Sequence, residues 1–155
     1  MAEYPRKLQE LLEDFESIVD RTERVEMLID FADRFEEVPP RIATRPFPEE
    51  HRVPHCESEA YVWAEELPDG TLKYYFAVEN PQGLSAKALS VILDETLSGA
   101  PLEQVVQVPE DIVYRIFGRE LSMGKGLGLT GILGMAKGFA IRHLQQRGRR
   151  PLLAE

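Results

Sequence analysis

The sequence predicts an α+β domain in which a small antiparallel β-sheet packs against helices. Three observations lead there. Apolar residues recur at helical spacing through the first 35 positions, a two-strand alternating pattern surrounds a Pro-Asp-Gly-Thr turn, and helical spacing then returns for the rest of the chain.

The first helix carries Leu8, Leu11, Leu12, Phe15, Ile18 and Val19 on one face. A break follows near Asp20, where Asp20 and Glu23 have the spacing of a capping box. The second helix has Val25, Leu28, Ile29, Ala32 and Phe35 along one stripe, and Pro39-Pro40 is expected to end it, because proline lacks the amide donor and disfavours helix before it. A proline-rich, charged connection runs from Pro39 to Pro54, a length that points to a functional loop. Ala60, Val62 and Ala64 then alternate with Tyr61 and Trp63, the pattern of a strand buried on both faces. Pro68-Asp69-Gly70-Thr71 turns the chain, with proline fixing one dihedral and glycine accepting positive φ. Leu72 to Val78 is the returning strand. Pro81 to Leu97 reads as a helix with Gly99 past its end. Pro101 and Pro109 open short helical pieces. Leu121 to Leu129 is expected to be a glycine-rich turn, followed by a last helix from Ile132 to Leu144. The expected organisation is one domain over residues 1–146 with a basic, frayed tail over 147–155.

Size and composition, 155 residues with 43% hydrophobic and 29% charged, suit a single globular domain with its own core. No stretch approaches the length of a bilayer span, no apolar signal segment follows Met1, and a single thiol suits a reducing compartment, so a cytoplasmic location is expected. A net charge of −9 argues against nucleic-acid binding, which needs a positive footprint. The charge is uneven: acids outnumber Lys and Arg two to one in the first fifty residues, whereas from Lys125 onward Glu155 is the sole acid. One face could therefore steer a charged protein partner.

Cys56 is the only cysteine, within His51-Arg52-Val53-Pro54-His55-Cys56-Glu57-Ser58-Glu59. It has no intrachain disulfide partner, which leaves a buried small hydrophobe or a working thiol. Its polar neighbours favour the second. His51, Arg52 and His55 could supply a cationic setting, while Glu57 and Glu59 oppose an anion there. A metal site built from His51, His55 and Cys56 with Glu57 or His143 lacks the spacing of a four-coordinate centre, so no metal is expected. The Gly124-Lys125-Gly126-Leu127-Gly128 run lacks the Lys-Ser/Thr of a phosphate loop. An independent Cys–His hydrolase would need an orienting acid and an oxyanion motif, and neither is identifiable.

The motif Val53-Pro54-His55-Cys56-Glu57-Ser58-Glu59-Ala60-Tyr61-Val62-Trp63 resembles that of the SufE family, Val-x-Gly-Cys-x-Ser-x-Val-Trp opening a hairpin. Arg24-Val25-Glu26-Met27-Leu28-Ile29, Pro39-Pro40, Gly83-Leu84-Ser85-Ala86-Lys87-Ala88-Leu89, Leu97-Ser98-Gly99-Ala100-Pro101 and Leu121-Ser122-Met123-Gly124-Lys125 extend the resemblance from about Leu8 to Leu144. It departs at His55 in place of glycine, at two extra residues between Ser58 and Val62-Trp63, at Val78-Glu79-Asn80 with one carboxylate instead of two, and at Lys125 in place of arginine.

The resemblance implies a SufE/IscU-like fold and a sulfur acceptor that takes persulfide sulfur from a cysteine desulfurase onto Cys56, stimulates that enzyme, and passes sulfur to an iron–sulfur scaffold. His55, Glu79 and Lys125 are then candidates for stabilising the thiolate or docking the partner. No resident cofactor is implied: the persulfide on Cys56 is transient, and pyridoxal phosphate belongs to the desulfurase. Whether the chain is a monomer or a homodimer, and whether it is an enzyme or only the cosubstrate and activator of one, stays open. The alternative is a noncatalytic adaptor that binds a desulfurase or scaffold with Cys56 merely packed.

Overall fold

The computed structural model describes residues 3–149. Helices α1 (Arg6–Ser17) and α2 (Arg21–Asp33) precede strands β1 (Ala60–Glu66) and β2 (Leu72–Val78), and α3 (Leu84–Leu97), α4 (Leu102–Val105), α5 (Ile112–Phe117) and α6 (Met123–Arg149) follow. Among the described residues the sheet has two antiparallel strands, registered from Ala60 opposite Val78 to Glu66 opposite Leu72. The expected α+β class is borne out. The expected tail falls partly on residues 150–155, outside those described, and α6 itself continues through Arg149.

Leu8, Leu12 and Phe15 of α1 are fully buried, as their spacing requires, but the helix stops at Ser17 and Val19 stands 98% exposed. The Asp20 carboxylate caps α2 by accepting from the Thr22 amide at 3.0 Å. The buried stripe of α2 is Leu28, Phe31 and Ala32, and Val25 and Ile29 lie at the surface, one position around from the expected face. Phe31 is drawn inward by stacking on Phe15 at 6.1 Å. The prolines do not end α2. It ends at Asp33, and the chain is already extended at Val38, whose amide donates to the Phe76 carbonyl at 2.9 Å.

The Pro39–Pro54 connection is more structured than expected. The Ile42 and Ala43 amides fold back onto the Pro39 carbonyl, and Glu49–His51 forms a 3₁₀ turn. Its apolar members explain why the hairpin alternates yet is buried on both sides. Ala60, Val62, Leu72, Tyr74 and Phe76 face the main core, whereas Tyr61, Trp63 and Ala77 face a second cluster roofed by Val38 and Phe47. The hairpin turn places Gly70 at φ 86° and is tied by the Asp69 carboxylate, which accepts from the Thr71 amide at 2.9 Å and the Thr71 hydroxyl at 2.6 Å.

Helix α3 runs through the middle of the core and buries nine residues from Ala86 to Leu97. Its two buried hydroxyls, Ser90 and Thr96, donate to the carbonyls of Ala86 and Ile92, each at 2.7 Å, so neither is stranded without a partner. It begins at Leu84 rather than near Pro81, because Asn80 holds Gln82 and Gly83 in a turn. The predicted glycine-rich turn is also revised: α6 begins at Met123, and Gly124, Gly126 and Gly128 lie inside its first two turns. Glycine weakens a helix on propensity alone. Here it permits close packing, as the site geometry makes plain.

Candidate functional site around Cys56

The Cys56 loop is a tight reversal on the free edge of β1. Arg52 bridges to Tyr61, the Val53 amide donates to the Ala60 carbonyl at 2.8 Å, and residues 54–59 close the gap. The Glu59 amide donates to the Cys56 carbonyl at 3.1 Å, which folds the loop over itself. His55 and Glu59 both sit in the left-handed region, at φ 58° and 52°. The position that the family motif gives to glycine is thus one where this backbone does need positive φ, and His55 adopts it at the steric cost of its Cβ.

Two structures clamp this loop. On one side the chain leaving β2 donates the Glu79 amide to the Glu59 carbonyl and the Asn80 amide to the Ser58 carbonyl, both at 3.1 Å. Gly83 completes that side, since a Cβ there would lie 3.1 Å from the Ser58 Cβ and 2.7 Å from Val78 Cγ1. On the other side lies α6. A Cβ on Gly128 would stand 3.3 Å from both the Cα and the Sγ of Cys56, and one on Gly131 would stand 2.8 Å from Val53 Cγ1. These glycines let the helix backbone approach the thiol directly. The spacing from 124 to 128 to 131 is one helical stripe, which was legible in the sequence had the glycines been read as helical.

Cys56 is buried at 8% exposure and packs with the main core. It nonetheless lines two openings. An inner cavity of about 320 Å³ includes Cys56, Asn80, Gly83, Leu84, Lys125 and Gly128. An outer depression of about 700 Å³ includes Arg52, Pro54, His55 and Cys56. The first turns of α3 and α6 both line the inner cavity, so the positive ends of two helices border the sulfur's surroundings. Leu84 is 42% exposed there, and Met123 and Leu127, on the adjoining stripe of α6, are exposed as well.

Of the residues singled out from sequence, Cys56 and Lys125 share the inner cavity, and Cys56 and His55 share the outer depression. Glu79 lines neither. Its carboxylate accepts from Arg45 at 2.7–3.2 Å, and the same guanidinium holds Glu37. His51 is turned away from the thiol: its Nδ1 lies 2.9 Å from the Val62 carbonyl, and its ring stacks between Trp63 and Phe139. Trp63 is a core residue, as its alternation implied. No helix of the described residues is long and apolar enough to cross a membrane.

A clamped loop that presents one cysteine between two helix starts and a hairpin accords with the family comparison. The SufE model, described as an Fe-S metabolism associated domain, matches residues 9–140. The chain belongs to the SufE family. The resemblance read from the Cys56 motif is therefore borne out, and the domain this chain carries is one associated with iron–sulfur metabolism. It is 25% identical over 147 residues to SufE-like protein 1, chloroplastic/mitochondrial, of Arabidopsis thaliana, covering 94% of this chain and 38% of that protein. It thus spans well under half the length of that relative. The solution structure of a hypothetical protein from Thermus thermophilus is similar in fold, with a TM-score of 0.70 and 25% identity over 92% of this chain and 98% of that one.

Proposed function

We propose that this SufE-family chain is a sulfur acceptor for a cysteine desulfurase and that Cys56 carries the sulfur. The Cys56 thiolate, its proton released to solvent, attacks the terminal sulfur of a persulfide on the desulfurase. A new S–S bond forms at Sγ, the donor's S–S bond breaks, and the donor cysteine leaves as a thiolate that takes up a proton. The step is persulfide exchange and needs no external oxidant or reductant. The sulfur then passes to an iron–sulfur scaffold.

The observation that carries this reading is the seat of Cys56: it is the sole thiol, set on a tight loop between an inner cavity and an open depression. The inner cavity has room for an added sulfur atom, and the two helix starts that border it favour an anion there against the Glu57 carboxylate, which lines it too. Lys125 adds a nearby cation and His55 a ring on the outer side. Glu79 acts at a distance, through Arg45 and through its backbone tie to Glu59.

The burial of Cys56 favours a second reading, a noncatalytic adaptor in which the sulfur only packs. One experiment separates the two. The protein is mixed with a cysteine desulfurase and cysteine for a single turnover, and intact mass is read with and without reductant. One reductant-labile sulfur on wild type and none on Cys56→Ser, with loss of desulfurase stimulation in that variant, is the expected result. An unloaded Cys56, or full stimulation by Cys56→Ser, would sink the acceptor role and leave the adaptor.

A further inference from the structure

Away from Cys56, two clefts of similar size have charged walls that differ in how the charges are satisfied. In the cleft of about 450 Å³ between the end of α2, β2 and α3, Arg34 pairs with Glu95 at 3.1 Å and Lys73 with Asp94 at 2.6 Å. Each cation there already has its anion. A groove of about 520 Å³ lies where the α1–α2 link meets the segment joining α5 to α6, and Val19, Arg21, Phe117, Arg119, Leu121 and Lys125 border it. Arg21 pairs with Glu120 at 2.9 Å, and Arg24 is held by carbonyls of α1 and α5. Among the described residues, the Arg119 and Lys125 side chains have no ion pair or hydrogen bond.

With 27 acids against 18 Lys and Arg, the chain's surface is negative overall, yet two cations without an ion pair face this one groove. The groove is also apolar at its lip, where Val19 is 98% exposed, and at its floor, where Phe117 and Leu121 are half-buried. Lys125 borders both this groove and the inner Cys56 cavity, so the two are neighbours.

We propose that this groove docks an acidic segment, carrying an apolar side chain, of the protein that delivers sulfur to Cys56. The proposal rests on the sulfur-acceptor reading. An acidic partner is repelled by most of this molecule and attracted here, which fixes its orientation as it approaches. Val19, Phe117 and Leu121 supply the apolar contact that charges alone do not give. Docking at this place brings the donor up to Lys125, which also lines the Cys56 cavity.

The test is steady-state stimulation of a cysteine desulfurase by this protein, titrated as the wild type, Arg119→Glu, Val19→Ser and the distant control Arg6→Glu. All three sites are exposed, and circular dichroism checks that each variant folds. Arg119→Glu should raise the concentration for half-maximal stimulation roughly tenfold at low salt, with the maximal rate unchanged. Val19→Ser should raise it about threefold with little salt dependence, and Arg6→Glu should leave it unchanged. A shift below twofold for both groove variants, or an equal shift for Arg6→Glu, overturns the proposal. Binding of the same variants in a Cys56→Ser background is read by calorimetry, without sulfur transfer. If Cys56 never loads but Arg119→Glu still weakens that binding, the acceptor reading fails and the groove stands as an adaptor surface. If Cys56 loads normally and binding is untouched, the groove alone fails.

Discussion

His55 shows how a departure from a family motif is absorbed at the scale of one residue. Its φ of 58° is the conformation that glycine takes freely and that a Cβ disfavours by roughly 1–2 kcal/mol. The hydrogen bonds on either side of the loop hold it there regardless. Restoring the family residue with His55→Gly should therefore stabilise the protein by about 1 kcal/mol, less whatever the freer unfolded chain takes back. Urea unfolding of the two proteins checks this, and a loss of stability would mean that the imidazole makes a compensating contact. The same logic holds at Gly128 in the opposite direction, where the absence of a Cβ is what gives Cys56 its place beside α6.

At the scale of elements, Arg24 joins three helices, α1, α2 and α5. From α2 its guanidinium donates to the Phe15 and Ile18 carbonyls at the end of α1, and to the Arg115 and Ile116 carbonyls of α5, at 2.9–3.4 Å. Terminal helix carbonyls lack intrahelical donors, and a planar fork with several N–H groups can serve four of them together where an ammonium cannot. Arg24→Met keeps the apolar stem and removes the fork. It should cost about 2–3 kcal/mol, and Arg24→Lys should recover less than half of that, as measured by chemical denaturation. Equal stability of the Lys variant and wild type would show that charge, rather than the fork, is what matters.

For the whole molecule, Tyr74 ties the sheet to α6: it is 1% exposed and its hydroxyl donates to the Ala136 carbonyl at 2.6 Å. Burial raises its pKa above the ordinary phenol value. The folded state therefore holds the proton more tightly than the unfolded chain does. Its contribution to stability is complete below about pH 10, and it is lost as the pH climbs from there toward the folded value, at about 1.4 kcal/mol per pH unit. Tyr74→Phe should cost about 1 kcal/mol at neutral pH and yet unfold less steeply than wild type above pH 10. Stability curves that stay parallel through that range would contradict this.

Local sequence carries the α+β class, the hairpin and its turn, the core face of α1, the family and the cysteine at its centre. Those features are written in local periodicity, turn chemistry and a contiguous motif, which a linear reading can follow. Where α2 stops, which stripe of it is buried, and that the glycine run lies inside a helix were decided by tertiary contacts. Val38 pairs with Phe76, Phe31 turns in toward Phe15, and α6 accepts weak helix formers because the Cys56 loop packs against the bare backbone of Gly128 and Gly131, and Tyr114 against that of Gly126. Only the folded chain separates Glu79 from the thiol and sets Lys125 between the Cys56 cavity and a groove built from segments far apart in the chain. Proximity of that kind depends on packing between distant elements, and no local spacing in the sequence encodes it.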